Sequence, residues 1–232
     1  MKENFEIRAA ARESLRGWWT SFVLATFVLF LISLIFSGNA YVHNSNGINP
    51  TLTLKLLGIG LFKLLGAIFI VLPLSYGFNI IFLQLVRKDE TLQPVKDMFV
   101  GFNNYARTLG VTLLMVVYVF LWSLLLFVPG IIKSYSYAMT FFIANDNPEL
   151  SADECIEKSM AMMEGHKFDL FLLDLSFIGW GILALFTCGI GFLWLVPYIQ
   201  TSHAVFYEEL KLQEMTQFAG TESKLGQFAK FE

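Results

Sequence analysis

The chain has 232 residues, of which 56% are hydrophobic and only 15% charged, and its mean hydropathy is +0.60. Soluble domains sit near half apolar with about a quarter of their residues charged, so this composition excludes an ordinary water-soluble domain. The net charge of −3, with no extended basic run, speaks against a nucleic-acid partner.

The N-terminus carries Arg8, Arg12 and Arg16 ahead of an apolar run, as a signal peptide would, and 38–40 has the small residues of a cleavage site. Glu3, Glu6 and Glu13 interrupt the basic region, and the uncharged stretch 18–37 is long enough for a bilayer, which takes about 20 residues. A retained first span is therefore expected. A polar connector follows at 39–50. The second apolar stretch, 54–86, holds Lys55, Lys63 and Pro73; at 1.5 Å per residue it is about 50 Å long, so it must tilt, kink at Pro73 or protrude. The next stretch is too long for one crossing. It reads as two spans, 107–127 and 130–145, broken at Pro129-Gly130 or slightly earlier with Pro129 as a kink. Spans at 168–186 and 190–209 follow, joined by the turn Thr187-Cys188-Gly189. Residues 1–211 make one transmembrane domain, and the polar tail 212–232 is expected to be cytoplasmic and partly disordered.

Six spans place every basic segment on one side: Lys2, Arg8, Arg12 and Arg16; Arg87, Lys88, Lys96 and Arg107; Lys158 and Lys167; Lys211, Lys224 and Lys230. The connectors around 39–53, 121–130 and 187–190 lack Lys and Arg. Both termini are thus expected in the cytoplasm of a bacterial plasma membrane, with Cys155 inside and Cys188 outside, too far apart for a disulfide.

Short amphipathic segments precede the odd-numbered spans. Ile7, Ala11 and Leu15 form the first apolar row; Val95, Met98, Phe99 and Phe102 the second; Ile156, Met160 and Met163 the third, behind a capping box at Ser151-Ala152-Asp153-Glu154. They read as helices lying on the inner leaflet. Amphipathic segment, glycine junction (Gly17, Gly101, Gly165), span, turn and proline-bearing span (Pro73, Pro129, Pro197) then recur as a threefold hairpin repeat about the membrane normal. The fold class expected is an all-α polytopic helical membrane bundle.

The strings Pro129-Gly130-Ile131-Ile132-Lys133-Ser134-Tyr135-Ser136-Tyr137, Asp146-Asn147-Pro148-Glu149-Leu150-Ser151, Gly165-His166-Lys167 and Leu173-Asp174-Leu175-Ser176-Phe177-Ile178-Gly179-Trp180 resemble a family of bacterial membrane proteins, domain of unknown function 975. Gly189-Ile190-Gly191, Trp194, Pro197-Tyr198 and Phe206-Tyr207-Glu208 continue the likeness. A looser similarity reaches the membrane domain of glycerophosphodiester phosphodiesterases. The resemblance implies a helical membrane protein and no particular activity.

Asp174 and Lys133 are the charges expected deepest in hydrocarbon, about 10 and 16 Å from the inner face. An unpaired charge at mid-bilayer costs about 3 kcal/mol, so the two are expected to pair, or at least to share one polar cluster. The pair has two readings: a proton- or ligand-handling site, or an ion pair that fixes helix packing, which is favoured. Tyr135, Tyr137, Gln200 and His203 complete the candidate polar set, with Ser134, Ser136, Ser176, Thr201, Ser202, Tyr76 and Asn79 around it. Gly130, Ser134 and Ala138 form a small-residue row for close helix contact. Trp18, Trp19, Trp122, Trp194 and Tyr198 suit a membrane-interface belt. Arg8, Arg12 and Arg16 are expected to set topology and contact lipid phosphates.

No phosphate-binding loop, H-E-x-x-H or G-x-S-x-G occurs. Neither cysteine, nor any of His43, His166 and His203, has metal-ligand spacing. No cofactor is therefore expected, and catalysis is disfavoured. The sequence favours a non-catalytic protein binding or organising lipids or partner proteins at the inner leaflet. The alternative is a small transporter with a polar cavity between spans four to six.

Overall fold

A computed structural model describes residues 2–37, 50–125 and 127–228. Residues 38–49, with the candidate cleavage site and His43, lie outside the described residues. All regular elements described are helical.

Helix α1 (Asn4–Leu15) opens on a capping box between Glu3 and Glu6. At Gly17, φ is +86°, and the chain turns there into α2 (Trp19–Ser37). Helices α3 (Pro50–Gly66) and α4 (Leu72–Val86) form one rod through a π-helical turn at Ala67–Val71. The wide turn sits just before Pro73, whose missing N–H and ring disrupt the regular ladder. The expected disturbance at Pro73 is thus a bulge inside a continuous helix.

Helix α5 (Pro94–Asp97) and a 3-10 turn at Met98–Phe102 lie against α4. Two glycines make that contact possible. A Cβ on Gly77 would stand 1.9 Å from the Met98 carbonyl oxygen, and one on Gly101 would stand 2.1 Å from that of Pro73.

Helices α6 (Tyr105–Leu125) and α7 (Phe127–Ser136) form a hairpin. The chain reverses between Ser123 and Gly130, which approach each other closely. Pro129 is the third residue of α7, where its lost N–H would have no helical partner. Gly130 takes the close contact assigned to the small-residue row, since its Cβ would lie 2.8 Å from Ser123 Cα.

The turn at 137–139 then interrupts the fourth expected span before α8 (Thr140–Asp146). Ser159, on α9 (Ala152–Met162), repairs the interruption: its hydroxyl donates to the Ser136 carbonyl (2.9 Å) and accepts from the Met139 N–H (3.2 Å). The capping box of α9 forms as expected, between Ser151 and Glu154. Helices α10 (Lys167–Leu175) and α11 (Ile178–Phe186) follow, then α12 (Phe192–Phe228). Pro197 lies inside α12, and its carbonyl accepts from the Thr201 hydroxyl at 2.7 Å. As far as Phe228 the tail continues α12, and its Leu, Lys, Gln, Glu and Met are good helix formers.

Four of the six expected spans are helical stretches long and apolar enough to cross a membrane: Trp19–Phe36, Leu54–Val86, Tyr105–Leu124 and Lys167–Phe186, the last with a turn at 176–177 between α10 and α11. The fourth is divided at 137–139, and the sixth carries Gln200, Thr201, Ser202 and His203 within a helix that runs on into charged sequence.

The core lies where α1, α4, α8 and α12 meet, with Ile7, Leu15, Ile80, Phe82, Phe142 and Phe206 fully enclosed. The amphipathic segments spend their apolar faces here. Ile7, Ala11 and Leu15 are buried against protein, as are Met98, Ile156 and Met163. They do not lie on a leaflet through those rows, because the bundle offers a closer apolar partner. Phe99 remains exposed. Away from the core the hairpins carry exposed apolar side chains, among them Phe30, Ile35, Leu57, Phe62, Phe120, Leu124 and Phe186.

Candidate functional site

Three polar centres hold the helices together. In the first, His203 of α12 donates from Nε2 to Asp174 Oδ1 of α10 at 2.6 Å, and the Tyr135 hydroxyl of α7 donates to Asp174 Oδ2 at 3.1 Å. Asp174, His203 and Tyr135 were each expected in a polar set, and they do meet. Lys133 does not join them. Its ammonium lies 4.9 Å from the centre of the Trp122 ring and 3.7 Å from Met160 Sδ. Residues 133 and 135 point to different sides of α7, so the aspartate meets Tyr135 while Lys133 turns toward α6 and α9. The expected Asp174–Lys133 pair is therefore replaced by an Asp174–His203–Tyr135 cluster and a cation–π contact.

The second centre surrounds Asp146, at the end of α8. Arg87 holds its carboxylate through two hydrogen bonds of 2.7 and 2.6 Å, the Tyr207 hydroxyl donates at 2.9 Å and Lys211 at 2.6 Å. Arg87 also donates from Nε to Glu208 at 2.8 Å. Burial opposes charge on Asp146, but the bonds from Arg87, Lys211 and Tyr207 outweigh it and hold the carboxyl well below the usual range. The same bond to Asp146, against the cost of burial, pushes Arg87 further up.

In the third centre, Arg107 of α6 donates to the carbonyls of Ala144 (2.7 Å), Asn147 (2.8 Å) and Leu150 (3.0 Å). It thereby satisfies the Ala144 and Asn147 carbonyls at the end of α8 and ties down the Leu150 carbonyl of the loop after Pro148. Cys155 is buried beside it, and burial pushes its thiol up, which suits an inert residue. Cys188 is exposed in the α11–α12 turn. The two cysteines are unbridged, as expected.

In the sequence Arg87 and Arg107 carry only a topology signal, and Asp146, Tyr207 and Glu208 stand only in the strings that resemble the family, with no pairing implied. One available signal was the acid at 146 immediately before Asn147-Pro148, which marks a helix end able to receive a distant cation.

Two depressions of about 580 Å³ lie between the hairpins. One cleft, between α4, α6, α7 and α12, receives Asn79, Ser123, Ser134, Tyr137, Gln200 and His203 among apolar neighbours. Gln200 and Tyr137 thus border a cavity that Asp174 and Lys133 do not line. The other groove lies between α1, the start of α2, α11 and α12. It is walled by Trp19, Trp180, Leu183, Trp194, Leu195 and Tyr198, and Arg8 and Arg12 stand at its α1 side. Tyr198 ties the two sides by donating to the Arg8 carbonyl at 3.3 Å. Arg16 is outside this groove, exposed, and 3.8 Å from Glu13.

A family model described as protein of unknown function (DUF975) matches residues 1–140 and 124–214. The chain belongs to the DUF975 family. The match includes all three polar centres and both depressions. No curated protein and no solved structure matches the chain, which leaves the looser likeness to glycerophosphodiester phosphodiesterases without support. Family membership itself carries no activity, so the function of this DUF975 protein rests on its chemistry.

Proposed function

We propose that this is a non-catalytic integral protein of the bacterial plasma membrane, with six spans, both termini cytoplasmic, and a role in binding or organising lipids at the inner leaflet. The observation that carries the reading is the division of the surface. Exposed Leu, Ile and Phe cover the hairpin arms, which suits hydrocarbon and not water. The opposite end is polar and ion-paired: Lys2 with Glu209, and Arg87 and Lys211 with Asp146. These contacts gather the N-terminal segment, the connector after α4, the end of α8 and the middle of α12, an arrangement that suits a six-span chain with both termini inside.

A threefold relation has support in the hairpin contacts. Gly66 faces Phe36, Gly130 faces Ser123 and Gly191 faces Ala184, each where two arms approach closely. Gly17 and Gly165 share a positive φ at the junction into a span. A non-catalytic role suits the polar side chains of each centre, which are engaged with one another: His203 and Tyr135 with Asp174, and Arg87, Tyr207 and Lys211 with Asp146.

The test is cysteine accessibility in intact cells. A membrane-impermeant maleimide added outside is expected to label Cys188 and to leave Cys155 unlabelled. Labelling of Cys188 only after lysis would overturn the topology.

The transporter reading draws on the cleft bordered by Gln200 and His203. A solute-specific flux in proteoliposomes, lost in Gln200→Ala, would favour it over lipid binding.

A further inference from the structure

We propose that the groove between α1, α11 and α12 is a binding site for an anionic phospholipid, with its phosphate on Arg8 and Arg12 and an acyl chain along the tryptophan wall. This deepens the inner-leaflet reading and rests on it.

The argument begins with the arginines. The chain has five: Arg8, Arg12, Arg16, Arg87 and Arg107. Arg87 is held by Asp146 and Glu208, Arg107 by three carbonyls, and Arg16 lies near Glu13. Among the described residues, Arg8 and Arg12 alone of the five have no ion pair or side-chain hydrogen bond. Both line the same groove. Arg8 Nε is moreover enclosed without any partner, and an enclosed donor calls for an acceptor. Positions 8 and 12 are one helical turn apart, so their guanidinium groups project from the same side of α1. Phe5 and Ala9 share that face.

The remainder of the groove is apolar and aromatic. Trp180 and Leu183 of α11 and Trp194 and Leu195 of α12 extend it from the arginines toward the α11–α12 turn. Trp180, Leu183 and Trp194 are exposed. From Tyr198, beside Arg8, to Phe192 the helix rises about 9 Å. A cationic mouth at the side where the termini lie, continued by an apolar trough toward the opposite turn, matches a lipid that enters headgroup inward. Guanidinium groups take phosphate through paired N–H donors. Tryptophan suits the boundary between headgroup and chain. A zwitterionic lipid offers the same phosphate accompanied by its own cation, which the two arginines repel. The site therefore prefers a lipid with net negative charge.

The test uses the full-length protein, with Trp18 and Trp122 replaced by Phe so that Trp19, Trp180 and Trp194 report. It is reconstituted in phosphatidylcholine vesicles containing a small fraction of acyl-brominated lipid, either phosphatidylglycerol or phosphatidylcholine. Brominated phosphatidylglycerol is expected to quench at several-fold lower mole fraction, and to saturate. Arg8→Gln with Arg12→Gln is expected to remove the difference; Arg8→Lys with Arg12→Lys to keep most of it; Arg16→Gln to leave it unchanged. Equal quenching by the two lipids in the arginine-bearing protein overturns the site, and that result needs no variant to fold. Flotation of the protein with both vesicle types separates the two levels of inference. Protein that floats but shows no preference defeats the lipid site alone, whereas protein that does not float defeats the membrane reading beneath it.

Discussion

Asp146 and Arg87 stand 59 positions apart and meet through two parallel hydrogen bonds, from Nη1 to Oδ1 and from Nη2 to Oδ2. Planar, bidentate pairing is the strongest geometry available to these groups. It fastens the end of α4 to the end of α8, and Tyr207 and Lys211 add α12 to the same carboxylate.

Asp146→Asn should cost about 1–2 kcal/mol of stability, because the nearly buried carboxylate gives up its charge-assisted bonds to Arg87 and Lys211, which stay partly exposed to solvent. Unfolding of the purified protein in detergent checks this. The pH dependence has a definite sign. The folded carboxyl lies below its ordinary value, near 3.9 for an unfolded aspartate, so its contribution is complete above about pH 4 and is lost as the pH falls further. Wild type should lose stability more steeply than Asp146→Asn under acidification. Parallel curves would show that Asp146 carries no such charge.

Asp174 should couple to His203 and not to Lys133. A double-mutant cycle with Asp174→Asn and His203→Gln is expected to give an interaction of about 1 kcal/mol or more; with Lys133→Met the term should stay within about 0.5 kcal/mol. A larger lysine term would restore the pair that the sequence suggested.

Gly77→Ala and Gly101→Ala should each be severe. In both, the added methyl meets a backbone carbonyl, of Met98 or Pro73, and not a side chain that can swing aside. A loss of about 3 kcal/mol, or failure to accumulate, is expected. Gly58→Ala is the control, since open space surrounds that position. Similar behaviour of all three variants in a membrane-expression and melting assay would contradict the interlock.

Lys88→Gly should stabilise the protein. Lys88 has φ +58°, and its N–H bonds Leu85 while that of Asp89 bonds Gln84, the pattern of a helix-ending motif that favours glycine. Relief of the left-handed strain is expected to add about 1 kcal/mol, measured as a higher melting temperature.

The legible part of the fold was its hydrophobic plan. Uncharged runs located the apolar helices, Ser151 and Glu154 marked the start of α9, and the break near Pro129 was placed within a few residues. The amphipathic rows were legible as helices, but their partner was not. Ile7, Ala11 and Leu15 have the same periodicity whether they face lipid or protein, and only the packing of α1 on α12 decided for protein. The candidate site divided in the same way. The cost of a buried charge identified Asp174 as needing a partner, yet helix rotation determined that His203 and Tyr135, and not Lys133, would supply it.

By itself the sequence determined a helical chain too apolar for water, the places of its apolar helices along the chain and the polar residues that have to be satisfied among them. Those properties follow from local composition and from a fixed rise and turn per residue. Only the tertiary structure decided that Asp146 binds Arg87 and Lys211, that Arg107 closes the end of α8, and that Arg8 and Arg12 are left facing a tryptophan-lined groove. Each depends on the relative rotation of helices distant in sequence, which the summed packing of the whole bundle sets and no local pattern encodes.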